Sequence, residues 1–336
     1  MIVFSFSLIQ EAPELLSLLD EGWKHLIFDN LAPQTKLKYA RIQNIYLGFC
    51  LSTGLAPLPA SELTLLRYLA YLKLGRALAP QTIKGHLAAV RHLHLINGFQ
   101  VSELSLPRLS MARAAATKPV GVRAPRTPVP LVALQVLCLK AGRSPSYTDT
   151  LFIAACLLGF FGFLRVSEFA APTLADKKPG LRPCNVNITR EHLSLFLIDT
   201  KTDKEGAGVP VYIARQSSPP CPVKWLAEYV RRRPLLSDSL PLFVLEDGTP
   251  MRACWFRDQL KSALADIGYR ANFNTHSLRI GAATHAASLG LSDSEIMRLG
   301  RWKSACFRSY VRATPAQATS LNSKLSSRPL RRKSDG

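Results

Sequence analysis

The sequence predicts an α+β protein that is mainly α-helical and carries one small antiparallel β-sheet. Apolar residues recur at helical spacing through most of the chain, and hydrophobic residues make up 47% of its 336 positions. Residues 193–214, LSLFLIDTKTDKEGAGVPVYIA, hold two β-rich runs joined by a polar, glycine-containing turn, which indicates a β-hairpin. At about 150 residues per domain, this length predicts about two domains.

The first third of the chain predicts helices only. One helix is predicted to run from an N-cap at Ser61 to Gly75. Another is predicted at 79–98, where basic residues that include Lys84 and Arg91 flank an apolar stripe. A basic helix face of this kind suits DNA phosphates. The histidines of this helix are predicted to lie on a solvated face rather than to bind a metal ion: His86, His92 and His94.

Residues 106–130, LPRLSMARAAATKPVGVRAPRTPVP, are rich in proline and basic. The prolines interrupt any helical spacing of apolar residues, so an irregular linker between two domains is predicted here. Its charge indicates a segment that lies along a polyanion, although composition alone fits an ordinary solvated linker equally well. The linker residues predicted to contact DNA are Arg113, Lys118, Arg123 and Arg126.

The charge balance points to a polyanionic partner. The chain has 43 Lys and Arg against 23 Asp and Glu, a formal net charge of +20. This balance favours nucleic acid or an anionic membrane surface over a merely soluble basic protein. The most apolar run, at 151–164, has 14 residues, fewer than the ~20 that span a bilayer, and it predicts a buried helix.

The seven cysteines are scattered and form no CxxC pair for zinc or redox chemistry. They are predicted to be reduced, mostly buried thiols of an intracellular protein. No cluster of Asp and Glu indicates Mg²⁺ binding, so the sequence predicts neither a metal ion nor a cofactor.

A polar pair opens an otherwise small and apolar segment near the C-terminal end. A helix is predicted to begin at His276, with Thr275 or Asn274 as its cap. His276 and Arg279 are then three positions apart on the same helix face.

A glycine turn and a second helix are predicted to follow. Gly290 ends the first helix, and Ser292 with Glu295 forms an S-x-x-E capping box for the next one. Trp302 and Tyr310 come after it. A helix-turn-helix repressor has the same outline, but it gives no reason for a His–Arg pair at the start of the first helix.

Two further charged positions lie elsewhere in the sequence. Arg165 follows the most apolar run, in GFLRVSEF, so its charge must reach solvent, pair or bind an anion. Glu168, three residues later, is placed to hold it. Lys201 lies in the predicted hairpin. Taken singly, each of these residues fits an ordinary surface position.

Together, these residues fit attack on a phosphate diester. Two guanidiniums, an imidazole and an indole N–H can donate hydrogen bonds to the phosphate oxygens. A tyrosine hydroxyl can attack phosphorus, and a lysine can protonate the departing oxygen. Because two arginines supply the positive charge, this chemistry needs no metal ion.

The segments that carry these residues resemble the tyrosine recombinases, the phage-integrase superfamily. They look closest to the recombinases of DIRS-like and Crypton-like eukaryotic mobile elements. The similarity covers about 131–316 in order and residue type, and the helical 30–100 region is similar to the core-binding domain of that family. The matching segments are GFLRVSEF, DTKTD, HSLRIGAATHAA and LGRWKSACFRSYVR.

The resemblance implies a role for each site residue. The implied phosphate ligands are Arg165, His276, Arg279 and Trp302, the last standing where many members carry His. Glu168 is implied to support the first arginine, and Tyr310 to be the nucleophile. Lys201 is implied to be the general acid, and Lys204 in the same turn is the alternative.

The resemblance also implies an architecture and a reaction. An all-α, SAM-like core-binding domain is expected at 25–105, a tyrosine recombinase catalytic domain at 131–320, and a basic, disordered tail at 321–336. Double-stranded DNA is cut through a 3′-phosphotyrosyl bond, exchanged and rejoined without ATP, by a homo-tetramer on two DNA sites. No membrane or small-molecule substrate is expected. The expected location is the nucleus in a eukaryote, and otherwise the cytoplasm with DNA.

Two other functions stay open. A domesticated recombinase would bind DNA without cutting it, and the retention of every implied catalytic residue argues against that function. A topoisomerase IB-like enzyme would use the same chemistry without strand exchange, and multimer formation on DNA separates it from a recombinase.

Overall fold

The computed structural model describes residues 12–99, 106–118, 126–171, 180–198, 200, 203, 206–237, 240–311 and 319. The chain divides into two compact units, Met1–Arg123 and Ala124–Gly336. The domain boundaries expected from the sequence stay a prediction. Among the described helices, none is long and apolar enough to cross a membrane.

The regular secondary structure described in the first unit is helical. Its helices are α1 (Ala12–Asp29), α2 (Pro33–Thr53), α3 (Glu62–Ala70), α4 (Pro80–Ile96) and α5 (Pro107–Ala116). A π-helical turn, Tyr71–Gly75, continues α3, and Ser61 caps α3 as predicted by accepting from the Thr64 amide at 3.1 Å. In the core, the buried rings of Tyr46 and Tyr68 meet edge to face, with centroids 5.0 Å apart.

The prediction of an irregular segment at 106–130 is wrong for its first half, which forms α5. Pro107 stands in the first helical turn, where a missing N–H is tolerated. Leu109 is buried, and Glu62 of α3 accepts from its amide at 3.2 Å. Glu62 also pairs with Arg108 at 2.6 Å, so α5 is packed against α3.

The histidines of α4 do not share a solvated face, and that prediction is wrong for two of the three. His86 is 5% exposed and is hydrogen-bonded to the Tyr68 hydroxyl at 2.8 Å. His94 is 3% exposed; its Nδ1 donates to the Val90 carbonyl at 2.8 Å, and its Nε2 accepts from the Ala60 amide at 3.0 Å. Both are core residues with at least one hydrogen-bonded ring nitrogen.

The second unit combines helices with the sheet. Its described helices are α6 (Leu131–Ala141), α7 (Tyr147–Phe161), α8 (Val166–Phe169), α9 (Pro222–Arg232), α10 (Ala253–Asp266), α11 (Ser277–Ser288) and α12 (Asp293–Gly300). Its described strands are β1 (Val186–Ile188), β2 (His192–Leu197) and β3 (Val209–Ala214), antiparallel in that order.

The hairpin predicted at 193–214 is confirmed by the pairing of β2 with β3. Leu195 lies opposite Val211 on the buried face, and Leu193 opposite Ile213. The short strand β1 was not predicted, because three residues are too few to show the alternating pattern of a strand.

Helix α7 runs through the core of the second unit, as its apolar run predicted. Every residue from 150 to 160 is buried. Ser146 and Asp149 close a capping box at its start, so the helix begins at a defined residue. Cys156 of α7 is one of four buried residues among seven unpaired cysteines, in agreement with the prediction of mostly buried thiols.

A short extended segment lies against the start of α11. The Val129 amide donates to the Ser277 carbonyl at 3.0 Å, and the Thr127 amide donates to the Asn272 carbonyl at 3.2 Å. A side chain at Gly281 would overlap the Val129 carbonyl, so glycine permits this close approach. The segment fixes where α11 begins.

Helix α11 begins one residue later than predicted, and His276 is its N-cap residue. Neither predicted cap accepts a hydrogen bond from the helix, because the Asn274 side chain accepts from the Thr275 amide instead, at 2.6 Å. The capping box predicted for α12 is confirmed: the Ser292 amide donates to Glu295 at 2.8 Å, and the Glu295 amide donates to Ser292 Oγ at 3.3 Å.

Candidate active site

Arg279, in the first turn of α11, is 1% exposed. Its guanidinium donates to the carbonyl of Phe163, in the turn after α7, and to the carbonyl of Gly300, at the end of α12. The guanidinium also lies over the Trp302 ring, with Cζ 4.4 Å from the ring centroid. Arg279 therefore joins three parts of the second unit around one cation.

Burial, together with repulsion from Arg165, lowers the pKa of Arg279 to about 10. The guanidinium is still charged at neutral pH. A buried cation is costly unless it is compensated by partners. Two of its five N–H groups donate to backbone carbonyls, which compensates part of that cost.

Arg165 and Glu168 form the ion pair that their spacing predicted. Arg165 is the N-cap residue of α8, and its Nη1 donates to Glu168 Oε1 at 2.8 Å. Its backbone amide donates to the other carboxylate oxygen, also at 2.8 Å. The Glu168 side chain is only 6% exposed, so it holds Arg165 from inside the protein.

A third guanidinium, which the sequence analysis did not assign to the site, completes this cluster. Arg301 follows α12 and donates from Nη2 to Glu168 Oε2 at 3.1 Å and to the Phe163 carbonyl at 3.2 Å. Burial lowers the pKa of Arg301. Its position directly before Trp302 was a signal, but an arginine after a helix end is usually a surface residue.

The cluster has an excess of positive charge. Among the described residues, Arg165 and Arg301 both pair with the carboxylate of Glu168, and the guanidinium of Arg279 lies close enough to feel the same negative charge without a direct bond to it. Groups that repel one another in this way favour an anionic ligand. Within the described part of the chain, no group of three or more His, Cys, Asp or Glu is placed to hold a metal ion.

Tyr310 lies next to Trp302, at the end of a 3₁₀ turn formed by Ala305–Ser309. The ring centroids of the two aromatic residues are 5.5 Å apart. Phe307, 1% exposed, anchors the turn in the core, and the Thr284 hydroxyl of α11 donates to the Tyr310 carbonyl at 3.2 Å. The tyrosine is half-buried and therefore accessible beside the guanidinium cluster.

His276 is half-buried at the N-terminus of α11, one helical turn before Arg279. The structure thus places it at the same end of the helix as the buried arginine. The predicted site residues that the structure brings together through contacts are Arg165, Glu168, Arg279, Trp302 and Tyr310.

The turn end of the β2–β3 hairpin and the segment that carries Trp302 line one open groove of about 300 Å³. The groove is lined by Asp203, Val209, Met297, Arg298, Arg301, Trp302 and Lys303. Lys201 and Lys204 lie outside the described residues, so the choice between them stays a prediction. In the sequence, Asp203 is two positions from Lys201 and one from Lys204.

The residues predicted to bind DNA are at the surface wherever the structure describes them. The exposed ones are Lys84, Arg91, Arg113, Lys118 and Arg126. Lys84 and Arg91 are two turns apart on α4 and so share a face. Arg123 lies outside the described residues.

No protein-family model matches the chain, and no curated protein matches it by sequence.

Several solved structures share its fold. The Tn1549 transposon integrase in complex with a circular intermediate DNA is 14% identical at a TM-score of 0.60, over 88% of this chain and 95% of the integrase. The XerH site-specific recombinase bound to a palindromic difH substrate is 13% identical at a TM-score of 0.56, over 86% of this chain and 77% of the recombinase. A lambda integrase dimer bound to a core site is 16% identical at a TM-score of 0.50, over 88% of this chain and 94% of the integrase. The chain therefore has the tyrosine recombinase fold, mainly helical with a small antiparallel sheet, as predicted.

Proposed function

We propose that this protein is a site-specific DNA recombinase that cuts and rejoins duplex DNA through a 3′-phosphotyrosyl intermediate. One observation carries the proposal. The buried Arg279 guanidinium stacks on Trp302, Trp302 lies 5.5 Å from the Tyr310 ring, and the surrounding cluster has more guanidiniums than carboxylates. This arrangement combines an anion site with a neighbouring nucleophile.

The proposed reaction begins with attack by the Tyr310 oxygen on the phosphorus of a DNA diester, and the phenolic proton is lost to solvent. Arg165 and Arg279 donate to the non-bridging oxygens and stabilise the charge that develops on them. His276 and the Trp302 indole N–H are proposed as further donors. The bond from phosphorus to the 5′ oxygen breaks, and Lys201 donates a proton to that oxygen.

Rejoining reverses these steps with a different strand. A free 5′-hydroxyl attacks the phosphotyrosyl bond and releases the tyrosine. The phosphodiester energy is retained in the covalent intermediate, so neither ATP nor a metal ion enters the proposed cycle.

We further propose that the protein serves a mobile element, of the DIRS-like or Crypton-like kind that its sequence segments resemble. Recombination between two DNA sites requires several active sites, and a homo-tetramer on DNA is the proposed assembly. The net charge of +20 supports double-stranded DNA as the partner.

The test is covalent trapping on nicked duplexes. The nick lies just 3′ of the cleavage position, so that the short product with the free 5′-hydroxyl diffuses away and rejoining fails. Candidate element ends and a randomised duplex pool are incubated with the protein, and adducts are scored on denaturing gels and mapped by peptide mass. We expect one adduct, on Tyr310.

Two outcomes contradict the proposal. Tight DNA binding with no adduct would support the domesticated DNA-binding protein. Adducts with relaxation of supercoiled plasmid, but with no multimer on DNA and no strand exchange, would support a topoisomerase IB-like enzyme.

A further inference from the structure

Arg301 has a backbone conformation that arginine rarely adopts. It follows α12 with φ at +55°, in the left-handed region where helices usually place glycine. A non-glycine residue is held there only at an energetic cost, so the conformation persists only where its surroundings demand it. The side chain of Arg301 is only 11% exposed, which indicates that its contacts are the reason.

Arg301 shares one hydrogen-bond acceptor with Arg165 and another with Arg279, the two proposed phosphate-binding arginines. Arg301 Nη2 donates to Glu168 Oε2 at 3.1 Å, while the other oxygen of Glu168 accepts from Arg165 at 2.8 Å. Arg301 Nη2 also donates to the Phe163 carbonyl at 3.2 Å, and Arg279 donates to the same carbonyl.

A third hydrogen bond, from the other terminal nitrogen, fixes the guanidinium plane of Arg301. Its Nη1 donates to the Gly162 carbonyl at 3.0 Å. The guanidinium thus contacts two consecutive carbonyls and a carboxylate at once, which needs a planar fork with several donors. A lysine ammonium has one nitrogen and cannot reproduce this geometry.

The sharing of Glu168 also sets the charge of the site. A carboxylate that pairs with a single arginine neutralises the positive charge of that arginine. Here Glu168 lies between Arg165 and Arg301, so one negative charge serves two positive charges and Arg165 keeps its attraction for an anion.

We propose that Arg301 is a positioning residue for the phosphate-binding site. It holds the Glu168 carboxylate and the Phe163 carbonyl in place, and these in turn orient Arg165 and Arg279 toward one phosphate. The identity of the ligand as a DNA phosphate rests on the proposed function. The structural part of the inference rests on the contacts of Arg301 alone.

The first test compares Arg301→Lys with Arg231→Lys. Arg231 lies in the last turn of α9, is 71% exposed and pairs with Glu228 at 2.7 Å, so it is a matched Arg–Glu control outside the candidate site. Single-turnover adduct formation should slow by about 10²-fold for Arg301→Lys, since small misplacements of binding groups cost this much. DNA affinity should stay within about twofold, because non-specific phosphate contacts dominate it. Equal rates for the two variants would overturn the proposal.

A double-mutant cycle separates positioning from a general structural role. If Arg301 acts through Glu168, Arg301→Lys should have almost no further effect in a Glu168→Gln background. If the two substitutions instead multiply their rate losses, Arg301 acts independently of Glu168 and the proposal fails. Thermal unfolding of all variants checks that the rate changes do not follow stability.

A third measurement does not depend on activity. Crystal structures of the wild-type and Arg301→Lys proteins should show Arg165 and Glu168 displaced or disordered in the variant. Unchanged side chains would overturn the positioning role. If the wild-type protein forms no adduct on any duplex, the proposed function fails, and these two structures still decide the role of Arg301.

Discussion

Tyr310 carries the hydroxyl that the proposed reaction needs, and its neighbours set its position. Trp302 lies against its ring and Thr284 donates to its backbone carbonyl. Both contacts involve atoms other than the phenol oxygen. We predict that Tyr310→Phe retains DNA affinity and abolishes the covalent adduct, because the substitution removes one oxygen and little else. Denaturing gels and a binding titration measure the two properties. Adducts formed by the Phe variant would move the role to another tyrosine, of which Tyr269 is half-buried whereas Tyr229 is buried in the core.

Gly300 makes room for the indole of Trp302. A Cβ at this position would overlap the Trp302 ring, so Gly300→Ala must displace the ring that stacks on Arg279. We predict a loss of about 1–3 kcal/mol in unfolding free energy, as for other overpacked cores, together with loss of adduct formation. Denaturant unfolding and the trapping assay measure these effects.

Gly48 provides the control for this substitution. It lies within α2 with nothing within 4 Å of an added Cβ. Ala there should stabilise the helix by about 0.5–1 kcal/mol, and adduct formation should not change. A harmless Gly300→Ala would mean that the indole position is not critical.

Lys201 is predicted to be the general acid. The leaving 5′ oxygen needs a proton, so Lys201→Ala should slow cleavage strongly. A substrate with sulfur in place of that oxygen leaves readily as a thiolate and needs little acid. We therefore predict that the sulfur substrate rescues Lys201→Ala and does not rescue Arg279→Ala, as measured by single-turnover adduct formation.

Lys204 in the same turn is the internal control for this assignment. A general acid must be held within about 3 Å of the leaving oxygen. In the sequence, Lys201 follows the end of β2 by four positions and Lys204 by seven, so we expect Lys201 to be held more closely by the strand. Two results together would move the assignment to Lys204. The sulfur substrate would rescue Lys204→Ala, and Lys201→Ala would cleave the ordinary substrate at nearly the wild-type rate.

At the scale of elements, the site is assembled from three short stretches that each supply one guanidinium. Arg165 stands at the start of α8, Arg279 in α11 and Arg301 after α12. The turn after α7 joins them, because the Phe163 carbonyl accepts from both Arg279 and Arg301. The cluster is therefore a product of how these elements pack.

This cluster predicts cleavage without a metal ion. The guanidiniums supply the positive charge that a divalent cation supplies in many nucleases. We predict that excess EDTA leaves the rate of adduct formation unchanged, in the same trapping assay with and without added Mg²⁺. A cleavage step that strictly requires Mg²⁺ would indicate a different nuclease chemistry.

At the scale of the whole molecule, the net charge of +20 predicts DNA binding that depends steeply on salt. Each neutralised phosphate contributes a slope of about −0.9 in log K against log salt, so 6–10 contacts lose roughly 10³–10⁵ in affinity between about 50 and 200 mM. Fluorescence anisotropy over a salt series measures the slope.

Substitution of one exposed lysine tests how much a single phosphate contact contributes to that slope. Lys84→Ala should weaken binding similarly on all sequences and reduce the slope by about 0.9 if this lysine contacts a phosphate. A salt response close to flat for the wild-type protein would exclude a clamp around duplex DNA.

Local patterns in the sequence determined much of this fold. The β2–β3 hairpin, the N-cap of α3 and the capping box of α12 follow from residues a few positions apart, and all three form as predicted. The ion pair of Arg165 with Glu168 is equally local, since three residues separate the partners. Spacing within one turn is enough to predict such contacts.

Only the tertiary structure decided the features that depend on distant partners. His86 is buried because Tyr68 of α3 reaches it, and His94 because the Ala60 amide does. Arg301 joins the guanidinium cluster of the candidate site through Glu168, 133 positions away. A sequence pattern reports neighbours along the chain, whereas the burial of a polar group depends on whether another element supplies its hydrogen bonds.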